Sequence, residues 1–222
     1  MDEYTAPSGP SFGASKDSSR WYARRGKRAL DIFISLILVP VIAPAILILY
    51  LVVRADGGPG VFAHARIGRQ GRVFACFKLR TMVPDAERAL ADVLASDPAA
   101  AREWAETQKL RVDPRVTRVG AFLRRTSLDE LPQIWNVLRG DMSLVGPRPV
   151  TAPELKRYGP YRSVYLSLTP GITGLWQVSG RNDVSYDERR LLDARYAQTV
   201  TLVRDLWLIF KTAQVLVRPT GR

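Results

Sequence analysis

The stretch IFISLILVPVIAPAILILYLVV, residues 32–53, decides how this chain is organised. It contains no charged residue, and a helix of that length can cross a hydrocarbon core of about 30 Å. The stretch is too long and too far from the first residue for a signal peptide, and no small-residue cleavage site follows it. A single-pass anchor helix is therefore the simplest prediction.

Two features of the same stretch favour a different path. Pro40 and Pro44 lie one helical turn apart, and each removes a backbone donor, which predicts a kink or break within residues 39–44. Cytoplasmic flanks of membrane helices are enriched in Lys and Arg, and here both flanks are basic. A re-entrant hairpin (helix, break, helix) that enters one leaflet and returns would satisfy both flanks. The flanking cations are Arg20, Arg24, Arg25, Lys27 and Arg28 before the stretch, and Arg54, Arg66, Arg69 and Arg72 after it.

The overall composition points to anionic partners. The 222 residues include 33 Lys+Arg and 21 Asp+Glu, a formal net charge of +12. Such a balance is typical of proteins that meet nucleic acid, anionic lipid head groups or phosphorylated substrates. Cys76 is the sole cysteine, which excludes an intrachain disulfide, and the single histidine, His64, argues against a zinc cluster. Residues 1–19 are rich in Ser, Gly and Pro and are expected to form a flexible tail.

A β-hairpin is predicted around the turn RQG at residues 69–71. In its second strand the period of two places Phe74, Cys76, Lys78 and Arg80 on one face. Two cations on a strand face are usually solvated, but the interleaved apolar residues suggest a partly covered groove. We interpret Cys76 as a packing residue and keep both cations as candidate ligands for a substrate. After the hairpin, residues 84–110 are predicted to form one or two surface helices, broken near Asp97-Pro98.

The adjacent carboxylates Asp129 and Glu130 allow two interpretations. Ser127 and Glu130 fit the S-x-x-E capping box, a common way to begin a helix. Alternatively, two acids just before Pro132 lie at a helix N-terminus, where the helix dipole favours the ionised form. Such a carboxylate can attack phosphorus, or hold a Mg²⁺ ion that bridges phosphate oxygens.

Candidate phosphate contacts lie on both sides of this pair. Arg124 precedes Asp129 by five residues, and Arg148 is held between two prolines in the turn GPRP at 146–149. An arginine fork matches phosphate oxygens well, although a lone arginine in a turn usually faces solvent. Trp176, in the Gly-rich stretch 168–182, is either a core residue or a platform for a nucleotide base. The stretch DLWLIFK at 205–211 is apolar nearly all round, as expected of a helix at a membrane surface.

Several long motifs together resemble the bacterial sugar transferase family, the monotopic phosphoglycosyl transferases that begin exopolysaccharide, O-antigen and glycoprotein glycan assembly. The resemblance covers about residues 24–217. It is carried by RIGRQGRVF at 66–74, FKLRTM at 77–82, RRTSLDELPQIWNVLRGDMSLVGPRP at 124–149, LTPGITGLWQVSGRN at 168–182 and YAQTVTLVRDLWLIFKTAQVLV at 196–217. Longer family members have additional N-terminal transmembrane helices, so we expect this chain to be the minimal catalytic unit.

The resemblance implies an α/β fold: a small membrane-associated catalytic domain with an N-terminal re-entrant membrane hairpin and interfacial amphipathic helices. We expect a flexible tail at 1–19, the re-entrant helix at 20–54 and a cytoplasmic phosphoglycosyl transferase domain at 55–222. The expected location is the bacterial inner membrane, with the catalytic domain facing the cytoplasm. The family commonly has Ser-Pro at the helix break, whereas this chain has Ala43-Pro44 and so lacks a hydroxyl that could bond freed backbone groups.

The resemblance also implies a reaction, the transfer of hexose 1-phosphate from a UDP-sugar to undecaprenyl phosphate with release of UMP and with Mg²⁺ as cofactor. It would run as a ping-pong mechanism through a covalent phosphosugar–aspartate. By position, Asp129 matches the nucleophile and Glu130 its partner in the dyad, and the two would hold the Mg²⁺ ion. Substrate-binding positions would be Lys78, Arg124 and Arg148, with Trp176 and Arg181 near the nucleotide; Arg80 is added from the strand pattern.

Galactose or glucose is favoured as the sugar, because residues 84–113 resemble an insert of exopolysaccharide initiators of that type. The expected partners are the UDP-sugar, undecaprenyl phosphate and inner-membrane lipid, without nucleic acid; a homodimer is compatible with this interpretation. Two rivals stay open from the residues: a membrane phosphatase or nucleotidyl transferase using the same carboxylates, and a non-catalytic basic module that binds membranes or nucleic acid.

Overall fold

A computed structural model describes residues 21–55, 57–107, 110–180 and 184–217. The predicted tail at 1–19 therefore lies outside the described residues. The described chain begins with a π-helical turn, Tyr22–Gly26, that continues directly into helix α1, Lys27–Arg54. This is the one described helix that is long and apolar enough to cross a membrane, and only 6% of its most apolar stretch is buried.

Helix α1 continues through both prolines. Of the predicted kink or break at 39–44, the break is wrong, since residues 27–54 are helical throughout, and the kink stays a prediction. A proline within a helix removes one hydrogen bond and crowds the preceding turn, which bends a helix but does not have to end it.

Both ends of α1 contact the rest of the domain. Near its start, Arg28 Nη2 donates to the carbonyl of Leu138 (2.7 Å), and Asp31 Oδ1 accepts from the backbone N–H of Leu144 (2.9 Å). At its end, the carbonyl of Val53 accepts from Arg80 Nη2 (2.9 Å). The helix is thus built into the domain near its first residues and again near its last, and is not an independent anchor on a linker.

The predicted hairpin is confirmed. Strand β1, Val61–Ile67, pairs antiparallel with β2, Val73–Leu79, with Val61 opposite Leu79 and Ile67 opposite Val73. The turn between them places Gln70 and Gly71 at positive φ (+58° and +81°). A second, parallel pair joins β3, Ser143–Val145, to β4, Gly171–Thr173. The described architecture is thus a mixture of helices and small sheets, consistent with the predicted fold class in this coarser form.

Helices surround these two sheets. The predicted helical break near Asp97-Pro98 is confirmed, because one helix ends at Ser96 and the next begins at Pro98. The remaining elements, in chain order, are α2 Ala86–Ser96, α3 Pro98–Thr107, α4 Arg118–Thr126, α5 Gln133–Arg139, α6 Ala152–Lys156, α7 Arg162–Ser167, α8 Leu175–Ser179, α9 Tyr186–Gln198 and α10 Leu202–Val217. Short 3₁₀ turns occur at Leu128–Glu130 and Gly159–Tyr161.

The main core lies where α5 packs between β2 and β3, and α9 and α10 close it. Gly146, just after β3, allows this closeness, because a Cβ there would come within 2.3 Å of the carbonyl oxygen of Thr169. The buried residues of this core are Phe74, Cys76, Ile134, Val137, Met142, Leu144, Val145, Leu175, Tyr196 and Leu208.

A buried polar network joins the start of α1 to α9 and α10. The carboxylate of Asp205, fully buried, accepts from Tyr22 Oη (2.7 Å), Lys27 Nζ (2.6 Å) and Tyr196 Oη (2.7 Å). Lys27 is itself only 15% exposed, so both charges of this ion pair are removed from water. A buried charge is tolerated only with partners of this kind.

We expect Asp205→Asn to destabilise the protein by about 3 kcal/mol, because the ammonium of Lys27 then stays buried without a counter-charge. Thermal unfolding in detergent measures the effect. Asp187→Asn is the matched control: that carboxylate pairs with Arg190 at the surface, where it is 78% exposed, and its loss should cost less than about 1 kcal/mol. The double variant Lys27→Met/Asp205→Asn should recover part of the loss. Equal losses of stability in the two Asp→Asn variants would show that the buried Lys27–Asp205 ion pair stabilises the fold no more than an exposed ion pair does.

Candidate active site

The acidic pair lies in the 3₁₀ turn between α4 and α5, and its serine is not a cap. Ser127 has φ +59° and makes no side-chain capping bond. The same S/T-x-x-E pattern recurs twice, and at Thr151–Glu154 and Ser185–Glu188 both reciprocal bonds of a capping box are formed. The capping interpretation of Ser127 and Glu130 is therefore wrong, and Glu130 is free for other partners.

Glu130 is held between two cations from distant parts of the chain. Its Oε1 accepts from Lys78 Nζ on β2 (2.7 Å) and from Arg148 Nη2 (2.9 Å). Burial alone would raise the pKa of Glu130, but the charges of Arg148 and Lys78 outweigh it and lower the pKa to about 2. Glu130 is consequently ionised at any physiological pH, and one of its oxygens is already engaged.

Asp129 differs from its neighbour. Within the described residues its carboxylate accepts no hydrogen bond, and its ion-pair contact is with Lys78 Nζ at 3.8 Å. Burial raises the pKa of Asp129 above the ordinary aspartate value, although the charge of Lys78 acts in the opposite direction. A helix dipole was expected to favour the ionised form of Asp129, but its pKa is raised instead. Asp129 also precedes the first turn of α5, which begins at Gln133.

Asn136 fixes the distance between the acidic turn and Lys78, and it was not among the residues predicted from the sequence. This residue of α5 is fully buried; its Oδ1 accepts from the N–H of Phe77 (3.0 Å) and its Nδ2 donates to the carbonyl of Ala75 (2.8 Å). A side-chain amide thus bonds the backbone of β2 on both sides of Cys76. The available signal was a polar residue on the buried side of an otherwise apolar helix, where an unpaired amide would be costly.

The turn that holds Arg148 is fixed by its carbonyl groups. The carbonyl of Pro147 accepts from the N–H of Gly171 (2.8 Å), and that of Pro149 accepts from Arg66 Nη1 (3.1 Å). Arg66 also pairs with Glu154 (3.0 Å). A small cleft opens at this point, lined by Arg66, Cys76, Lys78, Glu130, Gln133, Arg148, Pro149, Gly171 and Ile172. Cys76 thus packs in the core, as interpreted, and also lines the cleft, whereas Arg66 and Gln133 were not among the predicted site residues.

Other predicted residues lie elsewhere. Arg80 follows the end of β2, so the period of two no longer applies, and its guanidinium donates to the carbonyls of Val53 and Gly57 at the end of α1. The predicted grouping of Arg80 with Lys78 is therefore wrong, and Arg80 supports the helix end. Trp176 is 7% exposed with the guanidinium of Arg189 over its ring, which favours the core interpretation.

Arg124 is oriented towards the site from α4. Its Nε donates to Thr81 Oγ1 (2.9 Å), and its charge, like that of Lys78, opposes the burial that raises the pKa of Asp129. Arg181 lies outside the described residues. Of the predicted substrate-binding cations, the structure therefore brings Lys78 and Arg148 into direct contact with the acidic pair and places Arg124 close by.

Comparison with known proteins identifies the family. The profile of the family described as "Bacterial sugar transferase" matches residues 22–219, almost the whole described chain. The chain belongs to the bacterial sugar transferase family. The resemblance drawn from the motifs is thereby confirmed.

Relatives of this sugar transferase carry related names. An undecaprenyl-phosphate galactose phosphotransferase of Salmonella typhimurium is 49% identical over 207 residues, which cover 93% of this chain and 43% of that protein. The exopolysaccharide production protein ExoY of Sinorhizobium fredii is 48% identical over 196 residues, 88% of this chain and 87% of that protein. An undecaprenyl-phosphate glucose phosphotransferase of Komagataeibacter xylinus is 39% identical over 84% of this chain and 35% of its own length. The chain thus spans less than half of the first and third of these relatives.

The carboxylates of the candidate site fit Mg²⁺ only together with the phosphates of a substrate. No group of three or more His, Cys, Asp or Glu side chains able to hold a metal occurs in the part of the chain that the structure describes. Mg²⁺ is commonly held by one or two carboxylates together with substrate phosphates and water. Asp129, which accepts no hydrogen bond from a described residue, and the second oxygen of Glu130 match that arrangement.

The finding that Ser127 does not cap a helix can be tested directly by comparison with Ser185, which does. Ser185→Ala should destabilise the protein by about 1 kcal/mol, because the side chain of Ser185 accepts from the N–H of Glu188 in a complete capping box. Ser127→Ala should leave stability nearly unchanged, and Ser127→Gly should raise it by about 0.5 kcal/mol, since glycine adopts positive φ without strain. Unfolding measurements on the three variants provide the comparison; a loss at Ser127→Ala equal to that at Ser185→Ala would restore the capping interpretation.

Proposed function

We propose that this chain transfers hexose 1-phosphate from a UDP-sugar to undecaprenyl phosphate and releases UMP, with galactose or glucose as the sugar. The names of the Salmonella and Komagataeibacter relatives support this substrate pair. The observation that carries the proposal is the asymmetry of the acidic pair, in which Glu130 is held by Lys78 and Arg148 and Asp129 accepts no hydrogen bond from the described residues. We propose that the transfer is the first membrane step of exopolysaccharide or O-antigen assembly.

The asymmetry divides two roles between two neighbouring carboxylates. A nucleophile needs an oxygen lone pair that is not already engaged in a hydrogen bond, and a higher pKa makes a carboxylate a better nucleophile. Asp129 meets both conditions. Glu130, with its pKa of about 2, is the weaker base and instead keeps Lys78 and Arg148 in place beside the reacting atoms.

The reaction then has two displacements at one phosphorus atom. An Oδ of Asp129 attacks the sugar-bearing phosphorus, and the bond from that phosphorus to the bridging oxygen breaks, so that UMP leaves with the electron pair. An oxygen of the lipid phosphate attacks the same phosphorus in the second displacement and releases the Asp129 carboxylate. Lys78, Arg148 and Arg124 supply the positive charge that stabilises the phosphoryl oxygens in both steps.

Mg²⁺ would be held by Asp129 and Glu130 together with the diphosphate, and would neutralise charge on the phosphate oxygens. The protein's own cations position the same oxygens. The bidentate fork of Arg148 is held by a turn whose carbonyls bond to β4 and to Arg66, so it loses little freedom when a phosphate binds.

We further propose that α1 is re-entrant and that the catalytic domain faces the cytoplasm. The ends of α1 contact the same domain through Arg28, Asp31 and Val53, whereas the ends of a spanning helix would lie on opposite sides of the bilayer. Helix α10 supports a membrane-surface position as well. Its Leu206 and Phe210 are 44% and 59% exposed, opposite the fully buried Asp205 and Leu208.

The nucleophile is tested without any lipid. Enzyme mixed with UDP-galactose or UDP-glucose should release up to one UMP per active site and carry the mass of a hexose phosphate on the peptide that contains Asp129. Asp129→Asn should abolish both signals, because the amide is not nucleophilic, whereas Asp187→Asn, the same change at an exposed site, should abolish neither. An adduct on Glu130, or turnover in the Asn variant, would overturn the assignment, and release of free sugar phosphate would indicate a phosphatase instead.

The pH dependence of adduct formation follows from the raised pKa of Asp129. The protonated carboxyl group does not attack, so the rate should rise with pH through an apparent pKa above the ordinary aspartate value of about 3.9. Because the charge of Lys78 lowers the pKa of Asp129, Lys78→Met should move the midpoint to higher pH in addition to lowering the maximal rate. Lys156→Met, which removes an exposed cation elsewhere, should leave the midpoint in place. A midpoint that stays put in Lys78→Met would show that another group controls the rate.

Topology is tested with single cysteines placed at Ser15 and at Gln70 in a Cys76→Ser background. Both should resist a membrane-impermeant thiol reagent in intact cells and react after the membrane is permeabilised, because a re-entrant helix keeps both positions on the cytoplasmic side. Labelling at Ser15 alone in intact cells would show that α1 spans the bilayer.

A further inference from the structure

A cavity of about 440 Å³ lies apart from the acidic turn, at the start of α1. Its walls are the first turns of the N-terminal helix, the loop between β1 and β2, and the segment between α5 and β3. It shares no lining residue with the cleft at Glu130. Along β2, Phe74 lines the cavity, whereas Cys76 and Lys78 line the cleft at about 7 Å and 13 Å from Phe74, so the cavity and the cleft are separate but neighbouring.

The charge of this cavity is strongly positive, and three of its cations have no partner in the part of the chain that the structure describes. Lys27 is bonded to Asp205, and Arg28 to the carbonyl of Leu138. The side chains of Arg24, Arg69 and Arg72 are exposed, and within residues 21–55, 57–107, 110–180 and 184–217 they form neither a hydrogen bond nor an ion pair.

The acids that line the cavity cannot neutralise these arginines. Asp31 is buried and accepts from Ser143 Oγ (3.0 Å) and the N–H of Leu144 (2.9 Å). Asp141 pairs with Arg139 at 3.3 Å. Arg24, Arg69 and Arg72 therefore line an open volume in which no described acid balances their charge, which suits a phosphate.

An exposed apolar surface begins beside the cavity. Ile32, Phe33 and Leu36 follow Arg28 by one to two helical turns and are 37%, 64% and 60% exposed. Trp21, one turn before Arg24, is 65% exposed, as is usual for an aromatic residue at a membrane interface. A ligand with a phosphate in the cavity could thus extend an apolar tail along α1.

We propose that this cavity binds the phosphate of an anionic phospholipid whose acyl chains lie along α1. A nucleotide fits less well, because Phe74 is the aromatic residue of the cavity wall and it is buried, so no face is open to stack on a base. The bound lipid would fix the depth and tilt of the start of α1, and through Asp31 and Lys27 it would also fix the position of the domain against the membrane surface.

The test counts bound lipid on the full chain. Protein purified in a non-ionic detergent is titrated with phosphatidylglycerol, and native mass spectrometry reports the number of lipids bound. We expect one saturable phosphatidylglycerol per chain, weak binding of phosphatidylcholine, and no displacement by UDP or inorganic phosphate. Arg24→Gln/Arg69→Gln/Arg72→Gln should weaken binding about 100-fold, given that one cation contributes a factor of about five.

The matched control removes the same charge elsewhere. Arg88→Gln/Arg102→Gln/Arg111→Gln changes three exposed arginines of α2, α3 and the loop after them, and it should keep the bound lipid. Equal losses in both triple variants, binding that never saturates, or displacement by UDP would overturn the proposal. If the cavity variant unfolds, each single variant should still weaken binding about fivefold. The readout involves no turnover, so its failure would leave the proposed transferase reaction unaffected.

Discussion

Three segments that are far apart in the sequence meet at one carboxylate oxygen, Oε1 of Glu130. Lys78 arrives from the hairpin, Arg148 from the turn after β3, and Glu130 itself from the turn before α5. None of the three elements forms a site alone, and two cations at this distance would repel each other without the acid between them. The ion-pair triad therefore both closes the fold around α5 and gathers positive charge at the place where phosphate must bind.

Because the site is buried, this triad shifts the pKa values of the two adjacent acids in opposite directions. Both carboxylates are largely removed from water, which disfavours the ionised form of each. Only Glu130 is bonded directly by both cations, so only its pKa falls, while that of Asp129 rises. Asn136 maintains this difference in pKa, because its two hydrogen bonds to β2 fix the position of Lys78 relative to the acidic turn. A shift of β2 by one residue would replace Lys78 by a residue of the opposite face.

Sequence patterns predicted secondary structure well where the interacting residues lie within a few positions of one another in the sequence. The hairpin around 69–71 and the helix boundary at Pro98 depend on turn and proline chemistry within a few residues, and both are confirmed. The S-x-x-E pattern failed at Ser127 because Lys78 of β2 and Arg148 of the GPRP turn bind Glu130. Among the described residues, no cation competes with Ser185 for Glu188. Arg80 was misplaced for a similar reason, since the strand ends at Leu79 and the carbonyls at the end of α1 were not visible from the sequence. The hydrogen bonds of Asn136 could not be predicted, because the sequence does not show that α5 packs against β2.

The position of α1 follows from where its polar contacts must lie. Its side chains Phe33, Val41 and Ile48 are 64%, 76% and 62% exposed, and covering a side chain of this size contributes about 1.5–3 kcal/mol, so lipid contact is strongly favoured along its middle. The cost of removing charged and polar groups from water opposes placing Arg28, Asp31 or the carbonyl of Val53 within hydrocarbon. A straight helix of 28 residues is about 42 Å long and exceeds one bilayer core. If it crossed, the domain contacting both of its ends would have to reach both aqueous sides and would itself pass through the hydrocarbon with its polar surface. The re-entrant path that we propose would remove this conflict, because a bend near Pro40 and Pro44 would keep both ends at one interface while the apolar middle enters a single leaflet.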